Sequence, residues 1–273
     1  MSPRNEQDQV SKKVVVYRIP GMDAVSIQPD IEYRIGDAGP LTMDIYYPPD
    51  HRSGARIPAV VFVTGYPDPG FKAVLGCRQK EMGSYISWAR LTAASGLAAI
   101  TYTNREPAAD VKVLLQTLFQ NAASLGIDEG RIGIWACSGN VPNALSVLME
   151  KHHKHLKCAV LGYGYMLDLD GSTAVAEAAG KWGFVNPVAG KSVADLPPDL
   201  PLFIARAGRD ETPHLNEALD AFLAKALAAN LPITFANHAD APHAFDVMHD
   251  SEASREVIRQ ILAFMRFYLL KSP

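Results

Sequence analysis

Cysteine is scarce in this chain: Cys77, Cys137 and Cys158 are the three in 273 residues, at spacings unlike those of a metal site. An odd, sparse set argues against a disulfide framework and fits a reducing compartment. No apolar stretch reaches the ~18 residues that a transmembrane helix requires. Residues 1–10 are polar and carry both charge signs, without the apolar core of an export signal. The expectation is a cytoplasmic protein with no membrane contact. Long runs of like charge are also missing; 26 basic and 29 acidic residues leave a net charge of −3. No basic face stands out, which argues against nucleic acid as a partner and against an anionic membrane surface. Internal repeats and low-complexity linkers are absent too, so residues 1–273 read as a single domain.

What is present is an ordinary globular composition, 48% apolar and 20% charged, long enough to bury one large core without staples. Residues 14–17, 31–35 and 41–47 predict short antiparallel strands within the first fifty residues. From residue 58 onward, apolar runs rich in β-branched residues alternate with helical patterns. Strands are expected at 58–63, 98–103, 131–136, 156–161, 202–207 and 233–236. Helices are expected at 82–95, 109–125, 215–229 and 251–270, and after the strand at 131–136 to about residue 151, two of them closed by Gly96 and Gly126. Repeated β-α-β units imply an α/β fold with a mostly parallel sheet. Residues 163–200 carry Gly, Pro and Asp with no clear strand. A connection of that length reads as an insertion, and it could form a small cap.

The segment Arg131-Ile-Gly-Ile-Trp-Ala-Cys-Ser-Gly-Asn140 runs from apolar strand through small residues into a helical pattern. A sharp strand-to-helix turn puts one side chain at its apex, and the residue two places before must be small. With Ser138 at the apex that residue is Ala136; with Cys137 it is the bulky Trp135. Ser138 is the preferred nucleophile and Cys137 the alternative. The competing reading, a serine that merely caps the following helix, also fits this position.

This segment resembles the nucleophile elbow of the α/β-hydrolase superfamily, particularly the dienelactone hydrolase-like serine esterases. It departs from the usual Gly-x-Ser-x-Gly pattern, with Ala136 and Asn140 in place of the two glycines; Asn140 could hydrogen-bond locally or line the site. Two further segments share the resemblance, which spans about residues 40 to 270. Gly208-Arg-Asp210 follows a strand, placing a carboxylate at the sheet edge where such folds bind ligands. Ala241-Pro-His-Ala-Phe-Asp246 resembles the superfamily's histidine loop, with His243 as the base. The order Ser138, Asp210, His243 is the order of that fold. Rivals for the base are His214, His238 and His249; for the acid, Asp246, Asp168 and Asp170.

Thr64-Gly-Tyr-Pro67, after the strand at 58–63, resembles the oxyanion loop. Gly65 allows close backbone approach, so that the N–H groups of Tyr66 and Gly139 would hold a developing oxyanion. Gly65, Cys137, Tyr163 and Arg105 are expected to line the substrate site, with Tyr165, Trp182 and Glu106 as further candidates. The run Lys151-His-His-Lys-His155 lacks carboxylate or thiol companions, so no metal is expected there. The resemblance implies an eight-stranded, mostly parallel sheet with helices on both faces, no cofactor, and a small-molecule ester as substrate. It implies cleavage through an acyl-serine, with short-chain esters or lactones as the first expectation. An acyltransferase or perhydrolase using the same residues, and a non-catalytic small-ligand binder, remain alternatives. The first thirty residues could pair with a second copy in a homodimer or cover their own sheet edge.

Overall fold

Successive side chains of a strand point to opposite faces, so a strand that is apolar throughout must be covered on both sides. That condition organises the molecule. The structure, a computed structural model, describes residues 10–36, 38–52, 54–150 and 153–270. Among these residues eight strands form one sheet: β1 (Ser26–Gly36), β2 (Gly39–Tyr47), β3 (Ile57–Phe62), β4 (Ala98–Tyr102), β5 (Ile127–Cys137), β6 (Leu156–Gly162), β7 (Leu202–Ala207) and β8 (Ile233–His238). The helices are α1 (Asp68–Leu75), α2 (Gly83–Ala94), α3 (Pro107–Asn121), α4 (Val141–Leu148), α5 (Ala174–Trp182), α6 (Leu215–Ala228), α7 (Phe245–Met248) and α8 (Glu252–Leu270). Strand order across the sheet is β1-β2-β4-β3-β5-β6-β7-β8. The β1–β2 and β2–β4 pairs are antiparallel; the other five are parallel.

β3 shows how the core divides. Ala59, Val61 and Val63 enter one cluster, with Leu114 of α3, Leu145 of α4 and Leu219 of α6. Val60 and Phe62 enter the other, with Trp88 and Leu91 of α2 and Ile258 and Met265 of α8. Helix α8 buries Val257, Ile258, Ile261, Leu262, Met265 and Leu269, the three-to-four spacing of an amphipathic helix laid on a sheet. Among the described residues no helix is long and apolar enough to cross a membrane.

One local expectation is corrected, and two segments for which no element was expected gain a helix. Residues 14–17 are not a strand: the Val15 N–H donates to Ser87 Oγ at 2.9 Å and the Val16 N–H to the Asp246 carbonyl at 2.8 Å. Valine suits a strand, but here the segment meets helix α2 and the short helix α7 rather than a sheet edge. Residues 68–75, dense in turn formers, are the helix α1; Pro67 and Pro69 stand at its start, where a missing N–H costs nothing. The insertion at 163–200 contains helix α5, begun after Thr173 and ended at Gly183.

Candidate active site

The parallel strands end on one edge of the sheet, and there β5 turns abruptly into α4. Cys137 is still extended (φ −140°, ψ 158°), whereas Ser138 has φ +54°. A left-handed backbone is costly for a residue with a Cβ and persists where its surroundings enforce it. Two glycines make that possible by close approach. A Cβ on Gly65 would lie 2.7 Å from the Gly139 carbonyl oxygen. A Cβ on Gly139 would overlap the Tyr66 hydroxyl and stand 2.6 Å from Phe184 Cδ1.

At this apex Ser138 Oγ lies 2.9 Å from His243 Nε2, and His243 Nδ1 lies 2.6 Å from Asp210 Oδ2. A carboxylate can only accept, so Nδ1 carries the proton and the Nε2 lone pair faces the serine. Asp210 leaves β7 in a turn, and its Oδ1 accepts the Thr212 N–H at 2.9 Å. The Arg209 N–H donates to the Ala241 carbonyl at 2.8 Å, tying the acid's loop to the histidine's loop. Burial works to raise the Asp210 carboxyl, but His243 and Thr212 outweigh it and hold the group below the usual carboxylate range.

Asp246 serves elsewhere. It is fully buried beneath the histidine loop, where it accepts from Tyr163 Oη and Trp88 Nε1, both at 2.6 Å. Tyr163 in turn presents its ring edge-on to His243, centroids 5.2 Å apart. Burial pushes the Asp246 carboxyl up, partly opposed by those two donors.

The loop after β3 is fastened at each residue. Thr64 donates its N–H to Tyr102 Oη at 3.2 Å and accepts at its carbonyl from Asn143 at 2.8 Å. The Gly65 N–H reaches Asn140 Oδ1 at 2.6 Å, and its carbonyl accepts from Val185 at 2.8 Å. The Tyr66 carbonyl accepts from Asn104 Nδ2 at 3.1 Å, and the Asp68 N–H donates to Asn104 Oδ1 at 3.3 Å. Asn140 also touches Tyr85 Oη (3.0 Å) and Gln79 Nε2 (3.2 Å). Asn140, one of the two residues that depart from the Gly-x-Ser-x-Gly pattern, is thus the clamp between the elbow and this loop. Its departure from glycine was the only signal in the sequence; Asn104, Asn143, Gln79 and Asp68 carried none.

A cavity of about 470 Å³ opens on Ser138 and His243, walled largely by the aromatic rings of Tyr66, Phe71, Tyr85, Trp88, Trp135 and Tyr163. Cys137 lines it too, but burial, reinforced by Asp246, pushes its thiol up to about 12, so it stays protonated at neutral pH. Arg105 is not brought to this cavity. Its guanidinium donates to the carbonyls of Gly39 (3.0 Å) and Ala38 (2.7 Å) and so fastens the β1–β2 turn, while Glu106 faces Arg34 at 3.8 Å. Tyr165 donates to the Pro213 carbonyl at 2.7 Å, and Trp182 is half exposed beside Lys181.

The rival bases and acids have other partners. His238 faces Ser254 at 3.1 Å, with His249 beside it, and His214 lies near Glu217. Asp168 accepts from two N–H groups of α5 and Asp170 pairs with Lys225. Among the described residues no group of three or more His, Cys, Asp or Glu is placed to hold a metal. Of the histidine-rich run, Lys151 and His152 lie outside the described residues, and His155 stacks on Phe119.

Scanned against models of known families and against curated protein sequences, the chain matches none. Solved structures do match. A thermophilic esterase from the planctomycete Thermogutta terrifontis superposes with a TM-score of 0.66 at 20% identity, covering 92% of this chain and 95% of that one. A hyperthermophilic esterase from the archaeon Pyrobaculum calidifontis gives 0.66 at 20% identity, covering 97% and 90%. Vibralactone cyclase gives 0.71 at 16% identity, covering 100% and 91%. With the strand order, the mostly parallel sheet and its two helical layers, these likenesses establish that the chain has the α/β-hydrolase fold.

Proposed function

We propose that the protein is a serine hydrolase that cleaves carboxylic esters, with Ser138 as nucleophile, His243 as base and Asp210 as the acid that orients it. The observation that carries this reading is the unbroken line from Ser138 Oγ through His243 to Asp210, 2.9 and 2.6 Å long, at the mouth of a cavity. Esterases among the structures of the same fold support it.

The chemistry follows from the geometry. His243 Nε2 takes the hydroxyl proton as Ser138 Oγ attacks the ester carbon, and Asp210 stabilises the resulting imidazolium. The N–H groups of Tyr66 and Gly139 hold the oxyanion. As the tetrahedral intermediate collapses, His243 returns the proton to the departing alcohol. Water then repeats the sequence on the acyl-serine and releases the acid. A cavity of about 470 Å³ with aromatic walls suits a short acyl ester or a lactone better than a long lipid chain. Residues 163–200 meet the site from behind: Phe184 packs on Tyr66 and Val185 bonds to Gly65. We read this insertion as a buttress for the oxyanion loop.

Peptide mapping after treatment with a fluorophosphonate tests the assignment. A single adduct on Ser138, abolished in His243→Ala, is expected, together with hydrolysis of p-nitrophenyl acetate that Ser138→Ala removes. An adduct elsewhere, or none on folded protein, would overturn it.

A further inference from the structure

We propose that Tyr66 is a catalytic residue through its side chain as well as its backbone: its phenolic O–H donates a third hydrogen bond to the oxyanion formed on Ser138. The inference rests on the serine-hydrolase reading of the same site. Its starting point is the space beside Gly139. A Cβ on Gly139 would overlap the Tyr66 hydroxyl. Cβ and the amide nitrogen hang on the same Cα, so the phenol oxygen lies against the peptide whose N–H addresses the oxyanion.

Three observations separate a donor from a ring that merely packs. Tyr66 lines the cavity that also contains Ser138 and His243. Among the described residues, no hydrogen bond contributes to the environment of its phenol, which is set by burial and by the nearness of Cys137 and Tyr165. Tyr165 donates its own proton to the Pro213 carbonyl, and among the described residues no hydrogen bond joins the two phenols. Burial pushes the Tyr66 phenol up, so it is a protonated donor throughout the neutral range.

The ring is also held in place. Phe71 and Phe184 flank it, with centroids 5.6 and 5.8 Å away, and the backbone on either side is fastened by Asn140 and Asn104. A donor fixed before the reaction begins needs no reorganisation as charge develops. It acts on the tetrahedral oxygen rather than on the planar carbonyl, so its loss falls on kcat rather than on KM.

Tyr66→Phe tests this directly, since it deletes the hydroxyl and keeps the N–H and the ring. With folding checked by circular dichroism and the urea midpoint, kcat is expected to fall by about 10²- to 10³-fold, with KM little changed. Affinity for a trifluoromethyl ketone, which forms a tetrahedral adduct on the serine, should fall in parallel; affinity for the carboxylate product should not. A wild-type kcat in Tyr66→Phe overturns the proposal. So does an equal loss for ketone and product, which marks a packing role. Ser138→Ala separates the two levels of inference: residual full activity in that variant refutes the hydrolase reading itself, whatever Tyr66 does.

Discussion

Asn140 illustrates how one side chain can set the geometry of a site it never needs to touch chemically. Its Oδ1 receives the Gly65 N–H at 2.6 Å, and its Nδ2 reaches Tyr85 at 3.0 Å, all within a residue only 3% exposed. Removing the acceptor leaves a buried N–H unsatisfied, which costs about 1–3 kcal/mol. It also frees the loop that carries Tyr66. Asn140→Ala is therefore expected to lower stability by that amount in urea titrations. It should reduce kcat by about 10- to 100-fold through misplacement of the proposed oxyanion donors, with a smaller change in KM. Unchanged kcat would show that Asn104 and Val185 hold the loop unaided. At this scale Ser138, His243 and Asp210, which the structure brings together, were legible because each sits in a short segment with its own pattern. The clamp was not. Asn140 and Gly65 are 75 residues apart, and Asn104 and Tyr66 are 38 apart. A single polar residue does not announce so distant a partner.

Elements followed the same division. Strands buried on both faces, such as β3 and β4, were legible because burial on two sides leaves few polar positions. Helix α1 was hidden by Pro67 and Pro69, which favour turns as readily as helix starts. The segment at 14–17 was misread because its backbone bonds to helix α2 and to Asp246 instead of to a strand. Its path is enforced at the start of α2, where a Cβ on Gly83 would stand 2.7 Å from the carbonyl oxygens of Lys12 and Lys13. Gly83→Ala must displace that segment, at about 1–3 kcal/mol for an overpacked contact. Lys13 and Val10 line the mouth of the cavity, so the variant should also show a changed KM for bulky esters, with kcat for a small acetate ester retained. A melting temperature and KM equal to wild type would show that the segment does not bear on the cavity.

For the whole molecule, two buried carboxyls link stability to pH with opposite signs. Asp246 is shifted upward, first by burial, so its contribution is complete below the ordinary carboxylate value of about 3.9 and is lost as pH rises through its folded value. Asp210 is shifted downward on balance, because His243 and Thr212 outweigh burial. Its contribution is present above about 3.9 and is lost as pH falls through its folded value. In urea midpoints measured across a pH series, Asp246→Asn should gain on the wild type as pH rises through that window. Asp210→Asn should lose less than the wild type on the acid side. Parallel curves for either variant would show that the group in question does not titrate on unfolding.

The distances along the chain that the site must bridge carry a consequence for how the protein reaches its native state. Ser138 and His243 are separated by 105 residues, Gly65 and Asn140 by 75, and Trp88 and Asp246 by 158. Contacts of such separation close late, after helices and neighbouring strands have formed. A chain arrested halfway, with most of its secondary structure in place, would still hold these groups apart. On the proposed function, turnover is then a readout of completed folding, silent in every intermediate that lacks the last closure.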